Sequence, residues 1–534
     1  MFALSVYIGL YAYSIFVLGM VGLLSKVAIS IFTGIWLVVG VILAAREKQH
    51  ILLLSKSFIK TVRQLLASEP SWWIIIALLA SSFVVGLLGA LAPEMQHDAL
   101  WYHLTLPKLY VQSGSIDFFT GDFLYYSGMP QLVEMLYIPA LVFGNEIGAK
   151  LIHFGFGLLT TLVVVLISFH RWGIKAALIS SLLVISDLSF GWASSTANID
   201  LGRSFFELAG VYMLVRWLEK PSFATIVKTG LLMGLALSTK YLSMASIGVM
   251  GMLILWYGRK DQKLQSITLF LLGVGAASIV WFVRAFYYTG NPVYPLFTHL
   301  IDNSYAPSPQ SIWQWLQTPL FLSLDKSLWD QAISPLFVLL LPVSALVIRK
   351  HKLFRLLSWY ALLTFGAWML MPRTGGTRFL LPYLPIWAIL VGALWSTKSK
   401  VYSLIWMQRG AFALVVIIAS FNVLIRYKIH EKAIPVILGQ QSKQEYLEKN
   451  LNLKTNIFDT NGVLASFVSD SDMVHVVGRA NLYYAPFQVQ HESYGNLDMA
   501  THVLVYSSQV PEYVTEKNLL YSDDYARYRL YKNN

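Results

Sequence analysis

From Leu4 to Ile425 the chain is a succession of apolar stretches, many of them near the length that crosses a bilayer as a helix. In hydrocarbon every backbone N–H and C=O must find its partner within the protein, so such stretches are helices or nothing. Thirteen spans are expected, at 4–24, 27–45, 72–92, 148–169, 175–193, 200–218, 223–239, 241–257, 265–285, 334–348, 354–371, 379–396 and 410–427. Only 13% of the residues are charged and 56% are hydrophobic, too little charge to coat a soluble fold of 534 residues. The first apolar run has no basic segment before it and a second follows at once. It is read as a retained helical hairpin and not as a cleaved leader.

The lysines and arginines orient the bundle. With the N-terminus in the cytoplasm, the inner loops receive half of the 40 basic residues, in clusters such as Arg46 to Arg63, Arg259 to Lys263 and Arg349 to Arg355. The outer loops and outer helix ends up to Ile425 receive only Lys26, Lys108, Lys150, Arg203, Lys240, Arg284, Lys326, Arg373 and Arg378. The inner loops are short, so this bias sets the orientation. The expected location is the cytoplasmic (inner) membrane, with loops 93–147 and 286–333 and the segment 428–534 on the outer side. A net charge of +12 scattered between spans offers no soluble basic face, so no nucleic acid partner is expected. The absence of cysteine excludes disulfides, iron–sulfur clusters and thiolate zinc sites.

Four domains follow: an N-terminal hairpin 1–45, a basic cytoplasmic linker 46–71, a transmembrane module 72–427 and a C-terminal extracytoplasmic domain 428–534. Within loop 93–147 the apolar run Pro130–Phe143 is too short to span with ease. The expectation is a helix along the membrane interface, with Tyr125, Tyr126 and Tyr137 as aromatic anchors. Residues 428–534 are polar, with a helical stretch around Glu445 to Glu448 and strand-like runs Met473–Val477 and His502–Tyr506. They read as a small α/β or α+β domain.

Charge just outside a span is costly unless chemistry or binding uses it. The run His97-Asp98-Ala99-Leu100-Trp101-Tyr102-His103 begins a few residues past an apolar stretch. Asp98 there is either a general base or a helix cap. His97, Tyr102 and His103 are candidate cavity residues. A divalent ion on His97, Asp98 and His103 would need another acid from elsewhere. No cofactor is firmly implied, and a divalent metal is possible but not favoured. Asn198, Asp200, Arg203 and Glu207 mark the entry to a later span. Arg203 and Glu207 are read as a structural pair at helical spacing and Asp200 as a cavity residue. Lys240, Arg284, Arg373 and Arg378 form a basic set suited to a phosphate, against the alternative of snorkelling at span ends. Asn291 and Tyr294 follow in an aromatic, turn-rich segment that either belongs to an interfacial belt or lines a sugar site. Phosphate-loop, dinucleotide, zincin and Ser-hydrolase motifs are all absent from the sequence.

These pieces together resemble the GT-C superfamily of polyprenyl-phosphate-sugar glycosyltransferases. The likeness is to its protein-mannosyltransferase and lipid A aminoarabinose-transferase branch, and to bacterial members with an RgtA/B/C/D-like domain. It rests on His97-Asp98 with Tyr102-His103, on Asn198-Ile199-Asp200 and on Gly234-Leu235-Ala236-Leu237-Ser238-Thr239-Lys240. Asn291-Pro292-Val293-Tyr294-Pro295 and Arg378-Phe379-Leu380-Leu381-Pro382-Tyr383-Leu384-Pro385 add to it. It covers roughly residues 70–425. The hairpin before the loop-bearing span and the single acid after His97 depart from the family's usual pattern. The resemblance implies an all-α polytopic GT-C-like fold that moves a sugar from a polyprenyl phosphate to an acceptor hydroxyl on a glycan, lipid or protein, with inversion. Asp98 would be the base, and Lys240, Arg284, Arg373 and Arg378 would hold the donor phosphate. Membrane lipids are its other partners. The alternatives are a lipid-linked sugar flippase or transporter, and a glycan polymerase or ligase.

Overall fold

The computed structural model describes residues 1–300, 332–348, 351–370, 373–396, 402–507, 509–515 and 517–533. All thirteen expected segments fall on helices. Among the described residues, seven helical segments are long and apolar enough to cross a membrane, and several others are shorter and apolar. The chain is a polytopic helical bundle capped by a small sheet domain.

Helices α1 (Phe2–Met20) and α2 (Lys26–Ser68) form the N-terminal hairpin. They run antiparallel, with the Tyr7 hydroxyl donating to the Trp36 carbonyl at 2.8 Å and the Tyr11 hydroxyl meeting Thr33 at 2.8 Å. Ser25 caps α2 by accepting from the Ala28 amide. Residues 46–68 continue α2 without a break. There Phe58 packs edge-on against Phe169, and Glu69, just past its end, pairs with Lys175 at 2.5 Å.

Helix α3 (Trp73–Leu91) leads into the first long loop, which holds two helices of its own, α4 (Thr105–Ser113) and α5 (Leu132–Phe143). The structure corrects the interfacial expectation for α5. Leu132 through Pro139 are buried and the Tyr137 hydroxyl donates to the Asn198 carbonyl. A twelve-residue helix that packs on α1 and on α6 (Glu146–Trp172) buries more apolar surface inside the protein than along a membrane surface. Tyr126 is likewise no anchor, because its ring lies against Tyr102.

The span expected at 175–193 is two helices, α7 (Ile174–Ile185) and α8 (Leu188–Ala193). Asp187 makes the break, accepting from the amides of Ser189 and Phe190 and from Ser334 at 2.8 Å. Helices α9 (Asp200–Glu219), α10 (Phe223–Thr239), α11 (Ser243–Tyr257) and α12 (Lys263–Thr289) follow. Helices α10 and α12 cross so closely that a Cβ on Gly230 would run into the Phe270 carbonyl, and one on Gly273 into that of Val227. Small residues at a helix crossing allow this approach where lipid offers no hydrophobic drive. Helices Pro335–Ile348, Lys352–Leu370, Leu384–Gly392 and Tyr402–His430 complete the bundle.

The C-terminal domain has the expected helix, Lys443–Asn450, started by a Ser442/Glu445 capping box. Its five-stranded sheet runs β2-β1-β3-β5-β4. The two expected strands, β1 (Met473–Val477) and β3 (His502–Val505), are parallel neighbours in its centre. Strand β2 (Gln488–His491) adds a parallel edge, and β4 (Asn518–Asp523) pairs antiparallel with β5 (Tyr528–Lys532). The central strands are buried along their lengths, which is why their apolar runs were visible. β2 and β4 show mostly polar or half-exposed positions.

Candidate functional site

The loop after α3 is bolted down before it reaches Asp98. Lys150, buried in α6, donates to the Ala92 carbonyl at 2.5 Å. The buried Glu94 carboxylate accepts from the Met95 and Gln96 amides and, across the fold, from Ala197 at 2.6 Å. Gln96 then accepts from the Ala99 amide at 2.8 Å. Next comes one π-helical turn, Ala99–His103, a geometry that costs backbone energy and clusters at functional sites. Asp98 stands at its start and makes no capping hydrogen bond, so its carboxylate is available for other work.

That carboxylate meets Arg378, with Oδ2 and Nη1 2.6 Å apart. The Arg378 Nε lies 4.0 Å from Asp200 Oδ2, and Asp200 Oδ1 pairs with Lys240 Nζ at 2.7 Å. Asp98, Arg378, Asp200 and Lys240 therefore form one alternating chain of charge. They come from four separate stretches of sequence. Asp200 sits in the first turn of α9, where the helix dipole favours a carboxylate. Lys240 ends α10. The Phe379 ring lies under both cations, 4.8 Å from Lys240 Nζ and 5.5 Å from the Arg378 guanidinium. Asp98 retains 22% side-chain exposure and Arg378 13%, whereas Asp200 is at 1%. Asp98 is the more open of the two acids.

Two polar atoms in this cluster lack a hydrogen-bond partner: Asp200 Oδ2 and Arg378 Nε. Asn198, two residues before Asp200 and fully buried, has neither amide atom bonded. Buried polar groups without partners are expensive in a finished fold and are expected where a ligand supplies the missing bonds.

The other expected residues divide. Tyr102 is buried, its ring stacked on Tyr126 at 3.6 Å, with Tyr125 stacked beyond at 4.1 Å. Burial holds both the Tyr102 and Tyr126 hydroxyls above their ordinary range, so they stay neutral. His103 Nδ1 meets Glu134 at 2.8 Å in a buried pair, and desolvation holds the imidazole well below its ordinary value. His97 is exposed, packed near Trp101 and 3.2 Å from the Asn481 amide of the C-terminal domain. Arg203 and Glu207 form the expected structural pair, 2.6 Å apart and at 1% and 0% exposure, with Tyr383, Ser243 and Ser246 completing their bonds.

Arg284, Asn291 and Tyr294 do not join the charge chain. The Arg284 guanidinium is buried against carbonyls of the first long loop, those of Ser127 and Asp117, and lies over Tyr288. Asn291 closes its own turn, donating to Leu296 and accepting from Val293. Tyr294 packs on Phe118. The Arg373 side chain lies outside the described residues. Among the described residues no group of three or more His, Asp or Glu has the arrangement to hold a metal ion.

One connection had no signal in the sequence. Lys108 of α4 is half-buried and points its ammonium at carbonyls of the C-terminal domain, those of Tyr483 at 2.8 Å, Ala485 at 2.9 Å and Leu482 at 3.5 Å. Tyr483 and Tyr484 reach Glu146 at 3.3 and 3.2 Å, Lys443 pairs with the same carboxylate at 2.6 Å, and His491 stacks on Phe123 at 4.0 Å. The small domain is thus welded to the loop that carries Asp98.

Comparisons with known proteins agree with the fold. A family model described as dolichyl-phosphate-mannose-protein mannosyltransferase matches residues 119–298. The chain is similar in structure to ArnT from Cupriavidus metallidurans bound to undecaprenyl phosphate, with TM-score 0.61, 12% identity, 87% of this chain covered and 98% of that one. The apo form of the same protein matches with TM-score 0.57 and 13% identity over the same shares. No curated protein matches by sequence. The chain thus carries a membrane fold similar to that of ArnT, and its residues 119–298 match the mannosyltransferase family model.

Proposed function

We infer that the protein transfers a sugar from a polyprenyl-phosphate carrier to an acceptor hydroxyl, at the outer face of the membrane and with inversion. The observation that carries this reading is the convergence of Asp98 with Arg378, Asp200 and Lys240 in one partly open cluster. A glycosyl transfer from a lipid phosphate needs a base for the incoming hydroxyl and cations for the leaving group, a few ångströms apart. Both are present. Asp98 takes the acceptor proton as the acceptor oxygen attacks the anomeric carbon. The anomeric C–O bond breaks with its electron pair going to the phosphate, which Arg378 and Lys240 hold. Asp200 keeps the two cations in place, and Asn198 with its open amide atoms is suited to a sugar hydroxyl. The similarly folded ArnT structure contains undecaprenyl phosphate, which supports a carrier of that chemical class here.

The test is incubation of the purified chain in proteoliposomes with a radiolabelled polyprenyl-phosphate sugar and a membrane extract. Label leaving the lipid for a new acceptor is the expected result. Label that crosses the bilayer while still on its lipid overturns transfer in favour of transport.

A further inference from the structure

Deepening the functional reading above, and resting on it, we propose that Arg378 is a shared counter-ion which passes from Asp98 to the lipid phosphate, so that the base is released only when a donor occupies the site. Within the cluster the charges balance, with two acids, Asp98 and Asp200, against two cations, Arg378 and Lys240. The Asp98 carboxylate is committed to Arg378 at 2.6 Å, so the oxygen facing the guanidinium is not free to take an incoming hydroxyl. Asp200 pairs closely with Lys240 at 2.7 Å and stands 4.0 Å from Arg378, so Arg378 lies between two acids and is held tightly by Asp98 alone. Its Nε makes no hydrogen bond, although the group is largely buried. A guanidinium offers five N–H groups in a fixed fork, enough to turn from a carboxylate to a phosphate without leaving the cluster.

The transfer step moves charge in the same direction. The donor is a phosphodiester with one negative charge. The departing carrier is a phosphomonoester whose charge approaches about two at neutral pH. As the acceptor proton arrives, Asp98 becomes neutral and loses its hold on Arg378 while the phosphate gains charge. Arg378 is then worth more to the leaving group late in the reaction than at its start, which is the kind of interaction that raises turnover. A site without donor keeps its base occupied, which protects against proton abstraction from stray hydroxyls.

The test measures binding, not turnover. Undecaprenyl phosphate is titrated against the full chain in lipid nanodiscs, with undecaprenol as the uncharged probe. Asp98→Asn removes the competitor and is expected to bind the phosphate roughly tenfold more tightly than the unaltered chain, within the range of coupled neighbouring charges. Asp98→Ser, smaller and also uncharged, is expected to show the same gain. Undecaprenol binding is expected to be the same throughout. In an Arg378→Gln background the gain is expected to shrink, because simple repulsion between Asp98 and the phosphate survives there and competition does not. Binding to the unaltered chain with no gain in either Asp98 variant, or a gain of equal size in both backgrounds, overturns this inference and leaves the functional reading standing. Absence of phosphate binding by every form overturns both.

Discussion

Arg378 and Asp98 close on each other at 2.6 Å although 280 positions separate them in the chain, and the same guanidinium stands 4.0 Å from Asp200. One cation therefore couples the acid of the first long loop to the acid that opens α9. Any change to one of the three is felt by the other two.

Asp98→Asn keeps the shape and removes the proposed base. The expected outcome is a loss of transfer of about 10²–10⁴-fold with the melting temperature retained, read by movement of label from carrier to acceptor. Turnover close to that of the unaltered chain would remove Asp98 from the mechanism.

The Asp200–Lys240 pair is buried on the acid side, at 1% exposure against 12% for the lysine. Removing one partner strands the other charge, so Asp200→Leu alone is expected to cost about 3–5 kcal/mol. Asp200→Leu combined with Lys240→Met is expected to recover part of that stability, measured by thermal unfolding in detergent. Additive losses would mean that the two side chains do not stabilise each other.

Lys108 ties α4 to the carbonyls of Tyr483, Ala485 and Leu482. Lys108→Met leaves those acceptors without their donor, at a cost of about 1–3 kcal/mol. The expected readout is faster proteolytic release of a fragment near residues 428–534 and reduced transfer. An unchanged digestion pattern would show that the other contacts, Glu146 with Tyr484 and Lys443 among them, suffice.

Acid should loosen the same domain. Desolvation holds His475, His491 and His502 below their ordinary value of 6.5. His491 is kept neutral chiefly by desolvation, with Nδ1 accepting from the Ser493 amide, against the Gly478 carbonyl at Nε2, which favours the charged form. A histidine with a lowered folded-state value binds fewer protons folded than unfolded between the two values. Its stabilising effect is complete above about pH 6.5 and is lost as pH falls towards the folded-state value. The melting temperature of the domain is expected to drop between pH 7.5 and pH 5. In His491→Phe, which keeps an aromatic ring against Phe123, the drop is expected to be smaller. A pH-independent transition would contradict this.

The helical segments were legible because hydrocarbon leaves the backbone no other way to satisfy its polar groups. So were the central strands Met473–Val477 and His502–Val505, which carry their burial as unbroken apolar runs. The Arg203–Glu207 pair was legible too, since a spacing of four residues on one helix is a local fact. Burial of α5 was not legible, because a twelve-residue apolar helix has the same pattern against lipid as against α1 and α6.

The sequence by itself determined that this chain is a membrane bundle with a polar C-terminal domain, and which few charges stand at the expected outer ends of its spans. Only the tertiary structure decided which of those charges meet. Lys240 and Arg378 turn to Asp200 and Asp98, while Arg284, equally basic and equally placed at a span end, is spent on the carbonyls of Ser127 and Asp117. The physical reason is that a helical period fixes the face on which a residue stands within its own helix. The partner across the gap is set by how helices and loops distant in sequence pack together.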